Sequence, residues 1–115
     1  NCAEFCNHTH HFKVGSTELV KKHPVAGAGL GCANQVNDGT VPNQFGTWPL
    51  GRGGWCPGLD VPPFLADFTK ATKSGTNTMT YKSLYQGKDY DPQPAQNPTG
   101  FGGSIWMTSY LVMWE

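Results

Sequence analysis

The segment at residues 2–11, which reads Cys-Ala-Glu-Phe-Cys-Asn-His-Thr-His-His, constrains the fold of this chain most strongly. A disulfide between its two cysteines would close a very small ring, which bends the backbone tightly and holds Glu4 at its centre. His8 and His10 lie two positions apart, so on a β-strand both side chains point to the same face. We therefore expect a cross-linked turn that leads directly into a strand. Because the motif begins at the second residue, we also expect the chain to be an interior part of a larger protein.

The four cysteines allow three pairings, of which Cys2–Cys6 together with Cys32–Cys56 is the most economical. An even cysteine count with abundant glycine and asparagine favours an oxidising compartment, so we expect a secreted or periplasmic/extracellular protein. The run Asn7-His8-Thr9 is an N-glycosylation sequon, which makes Asn7 a modification site if the source is eukaryotic.

Composition narrows the class of protein. The 115 residues suffice for one domain, 1–115, with a modest core. Eight basic and eight acidic residues give a net charge of zero, so the charge does not indicate binding to nucleic acid or to an anionic membrane. No apolar run approaches the roughly 20 residues that a membrane-spanning helix needs. Fifteen glycines and nine prolines indicate short strands joined by turns.

Several segments have the composition of β-strands, and none has a 3.6-residue apolar period. The predicted strands are 8–14, 16–22 (a strand or a turn), 61–70, 78–85 and 105–114, the last being the clearest. Residues 23–58 are too rich in turn residues for a helix and long for a structureless loop, so we expect a functional loop tied down by Cys32–Cys56. Residues 89–103 are predicted to form a second surface loop. The pattern predicts an all-β fold, an antiparallel sandwich or jelly roll.

A set of short motifs resembles the C-terminal jelly roll of the peptide-N-glycosidase F family. The matching motifs are Cys2-Ala-Glu-Phe-Cys6, Thr9-His10, Gly31-Cys32, Trp48-Pro49, Arg52-Gly-Gly-Trp-Cys-Pro-Gly58 and Val61-Pro62. Their order and spacing match from residue 2 to about residue 62, and the final predicted strand fits more loosely. The resemblance implies a partial jelly roll whose first strands lie outside this chain, and an asparagine amidase that releases N-linked glycans.

The resemblance also implies roles for individual residues. It places Glu4 in a catalytic cleft, where a carboxylate can activate water and protonate a leaving nitrogen. It makes Arg52 a sugar contact, with Trp55 and Trp48 as a saccharide platform. The family's principal aspartate belongs to a separate N-terminal jelly roll, so the implied partners are that missing half and an N-glycan or glycopeptide. Glu4 could instead face solvent beside a structural disulfide, and Trp55 could be a core residue.

A second resemblance points to copper. His8-Thr9-His10-His11 is similar to the His-Thr-His-His segment of the copper type II monooxygenases, and Met107 falls where their methionine ligand lies. Two imidazoles and a thioether suit Cu(I), and the amidase reading needs no cofactor. The same residues could be an exposed histidine pair and a core methionine, and zinc held by cysteine and histidine is a third option.

Two functional hypotheses follow. In the first, the chain is part of a secreted amidase of the peptide-N-glycosidase F type. The alternative is a copper-binding jelly-roll module, either catalytic or purely structural.

Overall fold

One antiparallel sheet of four strands, in the order β2-β1-β3-β4, organises the part of the chain that the computed structural model describes, residues 5–42, 44–89 and 106–114. The strands are β1 (His8–Val14), β2 (Thr17–Lys21), β3 (Met79–Tyr85) and β4 (Lys88–Asp89). The only helical elements among the described residues are short 3₁₀ segments, which include Gly31–Asp38 and Gln44–Gly46. The all-β class predicted from the sequence is confirmed.

Both hairpins of the sheet turn on two residues. Val14 pairs with Thr17, so the β1–β2 turn contains only Gly15 and Ser16, and Gly15 has a φ of 57°. The β3–β4 turn consists of Gln86 and Gly87, with φ values of 52° and 76°. Turns with positive φ match the right-handed twist of the strands they join, and glycine adopts such φ values without steric cost.

The central pairing of the sheet joins distant parts of the chain. β1 and β3 pair antiparallel along their whole lengths, from His8 opposite Tyr85 to Val14 opposite Met79. The long connection that separates these strands holds the disulfide Cys32–Cys56, whose Cα atoms are 5.3 Å apart. The prediction that this disulfide ties down the turn-rich segment is therefore confirmed.

The core formed by the described residues is small and includes this disulfide. The buried apolar residues are Cys6, Val14, Cys32 and Cys56, and Pro57 is also fully buried. Cys6 is disulfide-bonded as well. Cys2 lies outside the described residues, so its pairing with Cys6 stays a prediction. Among the residues described, no helix has the length and apolar character that crossing a membrane requires.

Two of the predicted strands are absent from the structure. Residues 61–68 have no regular secondary structure, because Pro62 and Pro63 lack the N–H groups that a central strand donates to its neighbours. Residues 106–114 also form no strand, and their side chains are exposed. Their apolar side chains favour burial within a sheet, but the described residues provide no neighbouring strand for them. Most of the predicted loop 89–103 lies outside the described residues.

Segment 23–58 was expected to contain no helix, and here the structure differs in detail. The 3₁₀ helix Gly31–Asp38 begins after Leu30, which has a left-handed φ of 59°, and ends at Gly39, with a φ of 113°. A 3₁₀ helix has i→i+3 hydrogen bonds and about three residues per turn and occurs in short pieces, so an apolar period of 3.6 residues does not report it.

Candidate functional site

One face of the sheet carries a row of aromatic and imidazole rings, which we term the imidazole–aromatic face: His8, His10 and Phe12 on β1, with Tyr81 and Tyr85 on β3. The His10 ring is stacked on Tyr81, with centroids 6.1 Å apart, and its Nδ1 lies 2.8 Å from the Tyr81 hydroxyl. Phe12 lies 5.2 Å from Tyr81 between ring centroids, and His8 lies 5.9 Å from Tyr85. The sheet register thus builds this face from residues about seventy positions apart.

His11 points to the opposite face, as the alternation of side chains along a strand predicts. Its Nδ1 lies 3.4 Å from a carboxylate oxygen of Glu18 on β2, and its Nε2 lies 3.0 Å from the Thr9 hydroxyl. His8 and His10 therefore share one face, and Thr9 and His11 share the other.

A fourth histidine, His23, comes from the segment that follows β2. Its ring meets that of His10 edge to face, with centroids 5.0 Å apart and an interplanar angle of 85°. The imidazole lies against Gly54, where any Cβ atom would overlap the ring. The Nε2 atom of His23 is buried and has no hydrogen-bond partner among the described residues.

Burial keeps this histidine pair neutral. The pKa of His10 is lowered to about 4, chiefly by burial and then by the nearby His23, His8, His11 and Lys21. The pKa of His23 is also lowered, by burial first and then by Lys21 and His8. Both rings therefore carry a free lone pair near neutral pH, which is the form that accepts protons or binds metals.

A second cluster is built on the turn Arg52-Gly-Gly-Trp55. The backbones of Arg52 and Trp55 exchange two hydrogen bonds, of 2.7 and 3.0 Å, across Gly53 and Gly54. The two glycines have φ values of 57° and 82°, as in the two-residue turns with positive φ at both positions. This closed turn fixes the positions at which the guanidinium and the indole leave the backbone.

The Arg52 side chain reaches the start of the chain. Its guanidinium carbon lies 5.2 Å from the ring centroid of Phe5, and its Nη2 donates a hydrogen bond of 2.5 Å to the Thr47 hydroxyl. Cation–π contact and hydrogen bond together hold the planar guanidinium in one orientation. Phe5 directly follows Glu4 in the sequence, although Glu4 itself lies outside the described residues.

The Trp55 indole is half-buried, and its Nε1 donates a hydrogen bond to the Leu59 carbonyl. Trp55 also lines an open cleft of about 310 Å³ together with His23, Gln35 and Asp60. Trp55 is therefore neither a fully buried core residue nor a freely exposed platform. Trp48 is half-buried too, and it does not line this cleft.

The remaining predicted site residues are exposed. Met107 lies in the exposed segment 106–114 and is 47% exposed. Asn7 is exposed and directly precedes β1, and its side-chain amide lies against Gly27. Within residues 5–42, 44–89 and 106–114, no three side chains of the His, Cys, Asp or Glu type are grouped closely enough to hold a metal ion.

Sequence reasoning missed His23, Tyr81 and Thr47. His23 joins His10 because the β1–β2 hairpin returns the chain beside the start of β1, and Tyr81 joins them through the β1–β3 register. The first neighbour could have been inferred from the hairpin turn at Gly15. The second depends on a long-range pairing for which the sequence carries no local signal.

The chain is similar in sequence to known proteins. The family model described as peptide-N-glycosidase F, C terminal, matches residues 1–112. A curated relative, the peptide-N(4)-(N-acetyl-beta-D-glucosaminyl)asparagine amidase F of Elizabethkingia miricola, is 33% identical over 82 residues, which cover 70% of this chain and 21% of the relative. The chain thus spans about a fifth of that relative's length. No solved structure matches the chain.

Proposed function

Because the chain belongs to the peptide-N-glycosidase F family, as part of its C-terminal domain, we propose that it contributes residues to the site of an asparagine amidase acting on N-glycoproteins. In this proposal Arg52 contacts the glycan and Glu4 is the carboxylate of the cleft. The rest of the site belongs to a second jelly roll outside this chain. The N-glycan or glycopeptide is the substrate.

The contact between Arg52 and Phe5 is the observation that supports this proposal best. It brings the guanidinium to the residue next to Glu4, across 47 positions of sequence. A guanidinium offers five donors in a rigid fork, which suits sugar hydroxyls and the N-acetyl carbonyl. In this proposal the Glu4 side chain orients the attacking water as a carboxylate or protonates the leaving nitrogen as a carboxylic acid. The two side chains could therefore divide sugar binding and amide hydrolysis between them.

The surroundings of Arg52 support a binding role. The turn pairs Arg52 with Trp55 across its two glycines, so the residues that carry the guanidinium and the indole are backbone partners. Trp55 lines a cleft whose wall also contains Gln35 and Asp60. An aromatic ring beside amide and carboxylate groups is suited to a sugar, which has apolar C–H faces and polar hydroxyl edges. Export to an oxidising compartment is part of the proposal, and the Cys32–Cys56 disulfide supports it.

The test is glycan release from a glycopeptide by the full-length protein. Glu4→Gln should lower kcat by roughly 10²–10⁴-fold, the usual range for loss of a general acid or base. Arg52→Ala should lower kcat/KM by roughly 10–100-fold, because a hydrogen bond to a charged group is lost. Arg52→Lys should recover only part of this loss, since an ammonium lacks the planar fork. Lys82→Ala on β3 is the matched control and should leave turnover unchanged.

Wild-type turnover in both Glu4→Gln and Arg52→Ala would refute the proposal. Loss of the thermal unfolding transition in Arg52→Ala would instead show that Arg52 acts through the fold. Thermal unfolding of each variant therefore accompanies the kinetics.

Copper binding by His8, His10 and Met107 remains the second candidate, and one observation favours it. The Nδ1 atoms of both rings are engaged, His8 with the Cys6 carbonyl at 3.1 Å and His10 with the Tyr81 hydroxyl at 2.8 Å. Such bonds fix the ring orientation of a metal-ligating histidine and leave Nε2 as the ligand. The thioether of Met107 would then favour Cu(I). Loss of Cu(I) affinity in Met107→Ile is the test.

A further inference from the structure

We propose that His10 and His23 form a two-imidazole site for a borderline divalent ion of the zinc or copper type. The site lies on the imidazole–aromatic face, between β1 and the segment after β2. It does not depend on Met107, because its second ligand comes from His23, which also lines the cleft beside Trp55.

The ring geometry fits one shared ion. Zinc–nitrogen bonds are about 2.0–2.1 Å long, and a ring nitrogen lies about 1.1 Å from its centroid, so two imidazoles on a tetrahedral ion have centroids about 5 Å apart. The observed separation of the His10 and His23 centroids is 5.0 Å.

The donor atoms are available. The buried Nε2 of His23 has no hydrogen-bond partner among the described residues, and leaving such an atom unpaired is unfavourable. The Nδ1 of His10 is engaged by the Tyr81 hydroxyl, which orients the ring and leaves its Nε2 for an ion. Cys6, Cys32 and Cys56 are all disulfide-bonded, so none of these three offers a thiolate that would compete for the metal.

The surroundings define what kind of site this is. With two protein ligands from the described residues, a tetrahedral ion keeps two positions for water or an exogenous ligand. Lys21 is the charged residue that opposes a cation here, and its ammonium lies over the Phe64 ring, 5.7 Å from the centroid. Imidazole is a good ligand for zinc and copper and a poor one for magnesium, so magnesium should not compete.

The experiment is calorimetric titration of the chain with Zn²⁺ near neutral pH. We expect saturable binding at one ion per chain that His23→Gln and His10→Gln each weaken by tenfold or more. Tyr81→Phe should weaken binding by roughly 10-fold through loss of the orienting bond. His11→Gln, on the opposite face, and Met107→Ile are the matched controls and should bind as the wild type does. Mg²⁺ should give no heat of binding.

A second measurement uses the wild-type protein alone, so it does not depend on how the variants fold. The ring proton resonances of His10 and His23 should shift together on addition of Zn²⁺, and those of His11 should stay in place. Absence of Zn²⁺ binding, full binding by His23→Gln, or shifts confined to His8 and His11 would each overturn the proposal. Loss of binding in Met107→Ile would also overturn it in favour of the His8–His10–Met107 set.

Discussion

His10 couples the stability of the fold to pH. Its pKa is lowered to about 4 in the folded protein, whereas a histidine in the unfolded chain titrates near its ordinary value of 6.5. Between these values the unfolded state binds more protons, so the free energy of unfolding must fall as the pH falls. The stabilisation is complete above about pH 6.5 and is lost by about pH 4.

We predict that the wild type unfolds at a lower temperature at pH 4.5 than at pH 7, with a loss of the order of 1 kcal/mol attributable to this half-exposed ring. His10→Gln removes the titrating group and should flatten this part of the profile, whereas His11→Gln on the other face should keep it. Thermal unfolding in the presence of a chelator, followed by circular dichroism, measures the slope. A profile for His10→Gln as steep as the wild type's would contradict the assignment.

Thr40 is a buried polar residue whose hydroxyl lacks a hydrogen-bond partner among the described residues. It is 3% exposed, and its backbone N–H is used in a bond to the Gln35 carbonyl. We predict that Thr40→Val stabilises the protein by about 1–2 kcal/mol, because a methyl group replaces an unpaired hydroxyl of similar volume. Chemical denaturation provides the measurement.

Thr72 is the matched control for this substitution. Its exposed hydroxyl donates a hydrogen bond of 3.1 Å to the Thr69 carbonyl, so Thr72→Val should leave stability unchanged or slightly lower. Equal effects of the two valine substitutions would show that the added methyl group, rather than removal of an unpaired hydroxyl, controls the outcome.

Among the elements, local patterns predicted the hairpin strands well. β1 and β3 match the segments predicted at 8–14 and 78–85, because alternation and turn glycines act over a few residues. Segments 61–70 and 105–114 were predicted from composition, but a strand also needs a neighbour to accept its hydrogen bonds. The prolines at 62 and 63 removed donors in one case, and the described residues place no partner strand beside the other.

The connection between β2 and β3 contains little regular structure, so we expect its order to depend on the Cys32–Cys56 disulfide. The disulfide spans a sequence separation of 24, and on a chain-entropy estimate such a loop contributes about 3 kcal/mol. Replacing both cysteines by alanine should lower the free energy of unfolding by about that amount. It should also increase amide exchange in Gly31–Asp38 more than in β1. Unchanged exchange in the 3₁₀ helix would contradict this role.

At the scale of the whole molecule, segment 106–114 stands out for its exposed apolar surface. Trp106 is 94% exposed and Trp114 is 91% exposed, and the residues between them include Leu111 and Met113, which are also exposed. Contiguous apolar surface of this kind mediates association in aqueous solution. The segment therefore promotes contact with other apolar surfaces.

We predict that the isolated chain self-associates as its concentration rises, and that Leu111→Lys combined with Met113→Lys reduces this association. Lysine adds charge and removes apolar surface without a change in the described sheet. Sedimentation velocity over a range of concentrations measures the effect. Val61→Lys, which changes another exposed apolar residue, is the control. A monomeric wild type at every concentration would contradict the prediction.

The candidate site could be predicted from the sequence only where motifs are local. Arg52 and Trp55 share one short box, so their proximity follows from the two glycines between them. The shared face of His8 and His10 follows from strand parity. The neighbours His23 and Tyr81 depend on how strands pair across long loops, and no short pattern specifies that pairing.

Gly54 has a consequence for how this protein can change. The positive φ of this residue closes the turn that orients Arg52 and Trp55. The His23 ring occupies the space that a side chain at this position would fill. A larger residue there would reshape the turn and displace the imidazole in the same step. A substitution of Gly54 therefore changes both candidate sites at once, and a protein that replaces this glycine needs compensating changes at both.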